Sequence, residues 1–190
     1  MAQFEHLEAL HHWLNESGVD VSDWGVGGSK TVKQLWDELQ LGDCTVQLKP
    51  AQRIVNVLQL SIRKGASILL EVEQEFGSGL RRQRQQPPSE KMKPGESCQE
   101  AAERCLAEEL GVDKTMARFD ASSCRETTST AESPSYPGLL TQYNFHTIEA
   151  AVDGLPEHDF WRENIAYADN GDPIKRHRWG WRPAIPDFPA

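Results

Sequence analysis

The sequence predicts an α/β fold, a mixed β-sheet entered through a helical N-terminal lead-in. Three observations carry that expectation: apolar residues near the N-terminus recur every three or four positions, the middle of the chain changes to a two-residue alternation, and a capped acidic helix follows before further strands.

Taken in order, Phe4, Leu7, Leu10 and Leu14 share one face of a helix that ends near Gly18. Thr31 and Gln34 have capping-box spacing, and Val32, Leu35, Trp36 and Leu39 repeat with helical period until Gly42. Residues 1–48 are therefore expected to form a helical extension, with the main domain over 49–182 and an extended Pro-rich tail over 183–190. Arg53 to Ile62 is rich in Val, Ile and Leu, and Lys64-Gly65 breaks it. Ile68, Leu70, Val72, Gln74 and Phe76 then alternate with Leu69, Glu71, Glu73 and Glu75, the pattern of a hairpin strand with one wet face. Gly77-Ser78-Gly79 ends that strand, and Arg81 to Pro88 is polar enough to be a surface strand end and loop. Ser97 can cap a helix from Cys98 to Leu110, with Gly111 beyond its end. Further strands are expected at Met116 to Ser123 and Leu139 to Ala150, separated by a Ser/Thr/Pro-rich loop from Thr127 to Pro137.

Composition narrows the function classes. The 190 residues carry 20 Lys plus Arg against 29 Asp plus Glu, a net charge of −9, which argues against broad nucleic-acid binding and against anionic membranes. The longest aliphatic run, Ile68-Leu69-Leu70, is far short of a membrane span, and the N-terminus lacks a basic, then apolar, leader, so a cytoplasmic location is expected. Cys44, Cys98, Cys105 and Cys124 contain no C-x-x-C pair and read as reduced thiols; on a helix, Cys98 and Cys105 lie about 10 Å apart and cannot bridge each other.

The stretch from Glu90 to Val112 resembles the Nudix box, G-x5-E-x7-R-E-U-x-E-E-x-G-U with U aliphatic. Glu96, Arg104, Leu106, Glu108, Glu109, Gly111 and Val112 fall at its spacing, whereas Glu90 stands for its first Gly and Cys105 for the first Glu of its R-E pair. The resemblance implies a Nudix-like α/β/α sandwich and a hydrolase of a nucleoside-diphosphate-linked or other phosphoanhydride substrate. It implies that Glu96, Glu108 and Glu109 hold Mg²⁺ or Mn²⁺ and carry catalysis, with Arg104, Gly95 and Gly111 structural.

The residues read by themselves agree in part. Cys105, Glu108 and Glu109 are three and four apart, so a helix projects them toward one side, and crowded carboxylates call for a hard cation. Sulfur at position 105 suits zinc or copper better than Mg²⁺. Arg81, Arg82, Arg84, Lys91 and Lys93 cluster just before the box and are candidates to receive substrate phosphates, because guanidinium groups grip phosphate oxygens bidentately. His146 and His177 are candidate acid/base groups or structural residues, and Tyr136 and Tyr143 stack a base or fill a core. Two further classes stay open: a fold-retaining module that binds a small phosphorylated ligand or a protein partner without turnover, and an adaptor built on the helical lead-in and the Trp-rich tail. A homodimer is also left open.

Overall fold

A computed structural model describes residues 4–170 and 173–184, with backbone alone at 168–170, so the expected tail lies outside the described residues from 185 onward. The polypeptide forms two compact units, one within Met1–Val57, Lys91–Gly95 and Glu126–Phe145, the other within Leu58–Glu90, Glu96–Arg125 and His146–Ala190.

In the first unit, α1 (Leu7–Glu16) is capped by the His6 ring and buries Leu10 and Leu14. The helix α2 (Val32–Leu41) opens on the complete Thr31/Gln34 capping box and buries Leu35 and Leu39. Antiparallel pairing sets β1 (Thr45–Gln47) against the start of β2 (Gln52–Lys64), Thr45 opposite Ile54. The apolar stripes of both helices meet Cys44, Val46, Val55, Tyr136 and Leu139 in one core, and the Trp24 indole packs 5.1 Å from the Tyr136 ring. Fully burying a leucine contributes about 2 kcal/mol, so Leu10, Leu14 and Leu35 alone give the lead-in a substantial share of its stability.

That core encloses a charge cluster. Glu38, 6% exposed, accepts hydrogen bonds from Arg53 Nη2 at 2.5 Å and Lys30 Nζ at 2.6 Å, and Lys91 Nζ stands at 3.4 Å. The Arg53 guanidinium lies 5.0 Å over the Tyr136 ring. Burial alone would raise the Glu38 pKa, but Arg53, Lys91 and Lys30 overcome it and hold the group at about 2.

In the second unit, β3 (Ser67–Phe76) turns back from β2 at Gly65, pairing Arg63 with Ile68. Beside it runs β4 (Arg81–Gln86), with Glu75 opposite Arg81, and along its other edge β9 (Ile174–Pro183), which pairs in turn with β8 (Phe160–Glu163). The strand β5 (Ser89–Lys91) precedes α3 (Cys98–Leu110), whose Ala101, Ala102, Cys105, Leu106 and Leu110 are buried at helical spacing. Two long strands, β6 (Ala117–Ser133) and β7 (Tyr136–Val152), supply residues to both units, and α4 (Ile165–Asn170) links β8 to β9. The α/β class with an N-terminal helical lead-in is as predicted.

Three local expectations change. The stretch from Thr127 to Pro137 is not a loop: β6 runs to Ser133 and β7 restarts at Tyr136, with Thr128 Oγ1 donating to Asn144 Oδ1 at 3.3 Å. Its residues are polar because nearly all of them are exposed, and Ser and Thr are at home on such a strand. Arg81–Gln86 is likewise a strand, paired with β3 at Arg81, Arg82, Gln83 and Gln86 with a shift of register between the last two. The acids of β3 are not on a wet face, for Glu71, Glu73 and Glu75 are 5%, 7% and 8% exposed, covered by arginines from the strands on either side.

Candidate active site

Two caps set the span of α3. Ser97 and Glu100 complete a capping box at its start, and Gly111 ends it at φ +62°, the left-handed conformation that glycine adopts without cost, donating to Ala107 O at 3.0 Å. Just upstream, Gly95 takes φ +78° and turns the chain into Glu96. About two helical turns inside the N-cap, Arg104 reaches back and donates from Nε and Nη2 to the two carboxylate oxygens of Glu96, each at 3.0 Å. Its Nη1 donates to Glu108 at 3.1 Å and stands 3.8 Å from Glu90. These carboxylates keep the guanidinium charged, and it braces the helix against the segment before it.

Glu109 differs from its neighbours. Burial pushes its pKa up to about 7, His177 pulls it down, and Glu90, Glu71 and Glu108 raise it further. The group is poised near neutrality, as proton-transferring carboxylates are. Glu71 of β3 pairs with His177 Nδ1 of β9 and with Arg84 Nε of β4, the latter at 2.8 Å. Four strands and a helix thus bring Glu71, Arg84, His177, Glu90 and Glu109 into one electrostatic neighbourhood.

Cys105 is fully buried, and its thiol is raised well above the usual range by burial first, then by Glu109 and Glu90. It is buried with Ala101 and Ala102, while Glu108 is half exposed, so the sulfur lies on the core side of the arc that carries the two acids. The separation of 100° per residue spreads those positions enough for one to face the core and another the solvent. Among the described residues, no three His, Cys, Asp or Glu side chains converge as a ready cation cage. What α3 offers is two hard-oxygen donors, Glu108 and Glu109. Mg²⁺ is commonly held by one or two carboxylates with substrate phosphates completing its shell, so the donor set fits a cation that arrives with its ligand.

The basic candidates separate. Arg81, Arg82 and Arg84 lie in the second unit, and Lys91 and Lys93 in the first. Arg81 bonds Glu75 and stacks 5.4 Å over Trp161, Arg84 bonds Glu71, and Arg82 Nε donates to the uncharged Gln74 at 3.1 Å. Arg84 and His177 as the two partners of Glu71 are not legible in the sequence; the cross-strand register carries that information, and only the alternation of Glu71-Glu73-Glu75 with Arg-rich segments on either side hinted at it.

The NUDIX domain family matches residues 50–182. No protein of curated function matches the sequence. Among solved structures, a C. elegans Ap4A hydrolase binary complex is similar at 17% identity over 67% of this chain and 78% of that one, with a TM-score of 0.36. A NUDIX hydrolase from Nitrosomonas europaea is similar at 19% identity over 66% and 71% of the two chains, TM-score 0.40. The T. brucei MERS1 protein in its apo form is similar at 13% identity over 96% of this chain and 84% of that one, TM-score 0.34.

Proposed function

The chain belongs to the NUDIX domain family, and from that premise we propose that it is a hydrolase of a small phosphoanhydride, such as a nucleoside diphosphate linked to another moiety, assisted by Mg²⁺ or Mn²⁺. The observation that carries the reading is Glu109, a carboxylate held at about 7 beside further acids. In its ionised form it accepts a proton from the attacking water, and at neutral pH a large fraction of it is ionised. Arg104 fixes Glu96 and Glu108, keeping the start and end of α3 in register. Arg82, bonded to the neutral amide of Gln74, is the side chain offered to a phosphate, with Arg81 and Arg84 beside it on β4. Glu108 and Glu109 would hold the divalent cation, which offsets charge on the phosphoryl oxygens and acidifies the bound water. Free thiols at all four cysteines suit a reducing, cytoplasmic setting, and no helix among the described residues is long and apolar enough to cross a membrane.

The test is turnover of a panel of nucleoside-diphosphate derivatives with Mg²⁺ or Mn²⁺. Hydrolysis by the wild type that disappears in Glu109→Gln supports the proposal. A second reading, a binding module without turnover, is favoured by Cys105, which removes one carboxylate from the box and buries sulfur in its place; ligand-induced stabilisation without product would establish it. With only two helix carboxylates, Mg²⁺ alone should bind weakly in calorimetry, and its affinity should rise about tenfold or more when a phosphoanhydride ligand is present, a coupling of about 1.4 kcal/mol. Equal Mg²⁺ affinity in wild type and a Glu108→Gln, Glu109→Gln double variant would remove the metal from this site.

A further inference from the structure

The arginines of the second unit are sorted by the two faces of its sheet. Cross-strand register sets Arg82 of β4 opposite Gln74 of β3, Gln74 opposite His177 of β9, and His177 opposite Arg162 of β8. Residues directly opposite one another share a face, so these four make one row across four strands. Aromatic rings lie beside the row: the Arg82 guanidinium stands 5.4 Å over Phe76, that of Arg162 stands 5.6 Å over Phe160, and the His177 ring is 6.2 Å from Trp179. On the other face Arg81, Arg176 and Arg178 pair with Glu73 and Glu75, so that face neutralises itself.

The row is different. Among the described residues neither Arg82 nor Arg162 forms an ion pair; Arg82 donates to the neutral Gln74, and the buried Nε of the half-buried Arg162 has no hydrogen-bond partner. Arg162 is nonetheless held in place. All four residues of β8 pair with β9, and Asn164 ties the strand end down by donating from N to Lys175 O and from Nδ2 to Ile174 O, each at 2.9 Å. Neighbouring strands are about 4.8 Å apart, so three intervals separate the Arg82 and Arg162 backbones by about 14 Å. With each guanidinium resting on a different ring, the two cations address separate anionic groups.

We propose that Arg162 is a specificity-determining residue, binding a second phosphate that the ligand carries on a moiety apart from the phosphoanhydride received at Arg82. The inference rests on the phosphoanhydride reading of the ligand given above, but not on turnover. An oxyanion at Arg162 supplies the acceptor that this side chain lacks in the free protein, and hydrogen bonds to a charged donor are among the stronger ones. The favoured ligands are therefore phosphoanhydrides that also bear a phosphomonoester.

Two matched pairs of compounds differ by one such phosphate: NADP⁺ against NAD⁺, and coenzyme A against its 3′-dephospho form. Their affinities for the full chain with Mg²⁺ are measured by calorimetry, with product followed separately by chromatography. The phosphorylated member of at least one pair is expected to bind about tenfold or more tightly. In Arg162→Gln that advantage disappears while the unphosphorylated member binds as before, and Arg162→Lys keeps part of it. Arg82→Gln weakens both members, and Arg178→Gln, on the other face, changes neither. A preference found without any product removes the hydrolase reading and supports the role of Arg162. Equal affinities within both pairs, no binding by any of the four compounds, or an advantage that survives Arg162→Gln overturns the proposal.

Discussion

Glu109→Gln is expected to lower phosphoanhydride turnover by about 10²–10⁴, the usual contribution of a positioned proton acceptor, and at the same time to stabilise the ligand-free protein at alkaline pH. The second effect follows from linkage. Glu109 is raised from 4.5 to about 7, so the folded state binds more protons than the unfolded one between those values. Its stability contribution is complete below about 4.5 and is lost as pH rises through about 7. Gln, permanently neutral, escapes that loss. In chelator, urea denaturation should give the variant an advantage of about 3 kcal/mol at most at pH 8, since each pKa unit is worth about 1.4 kcal/mol, and almost none at pH 4. Equal stability differences at both pH values would show that Glu109 is not strained by burial and its acidic neighbours, and the proton-acceptor role would lose its basis.

The largest loss of stability is expected from the other unit. Glu38→Gln leaves Arg53, 4% exposed, with Lys30 and Lys91 uncompensated, and breaking one partner of a buried ion pair costs about 3–5 kcal/mol. Because Glu38 is lowered from 4.5 to about 2, its contribution is present above about 4.5 and is lost as pH falls from there through 2. The wild type should therefore lose stability steeply across that acid window, and Glu38→Gln should lose less across it, the remaining loss coming from other paired carboxylates such as Asp159 and Glu75. Replacing both partners, as Glu38→Met with Arg53→Met, should recover much of the loss, since the penalty is that of an orphaned charge and not of the missing attraction. A chemical-denaturation cycle in which the double variant is as unstable as the sum of the singles would refute the pairing as the cause.

Local signals in the chain suffice for the helices and for the family. The Thr31/Gln34 and Ser97/Glu100 boxes and the left-handed Gly111 act within one or two turns of their own helix, so spacing alone locates α2 and α3. Glu96, Arg104, Glu108 and Glu109 are legible for the same reason, being defined by intervals along one segment. What sequence reading could not supply is which side of an element meets which neighbour. A period-two pattern labels the acids of β3 as solvent-facing, yet β3 has a strand on either edge, and arginines from β4 and β9 fold over Glu71, Glu73 and Glu75. Ser and Thr between 127 and 133 have a loop composition but sit on β6, because pairing with β7 satisfies the backbone whatever the side chains are.

The family, the helix boundaries and the acidic pair on α3 were determined by the amino-acid sequence, because each depends on residues near in the chain. Only tertiary structure decided that Cys105 turns into the core, that Glu71 of β3 meets His177 of β9 and Arg84 of β4, and that Glu109 is raised to about 7. Each of those depends on desolvation or contact between segments tens of residues apart, and spacing along a single chain does not encode which of them meet.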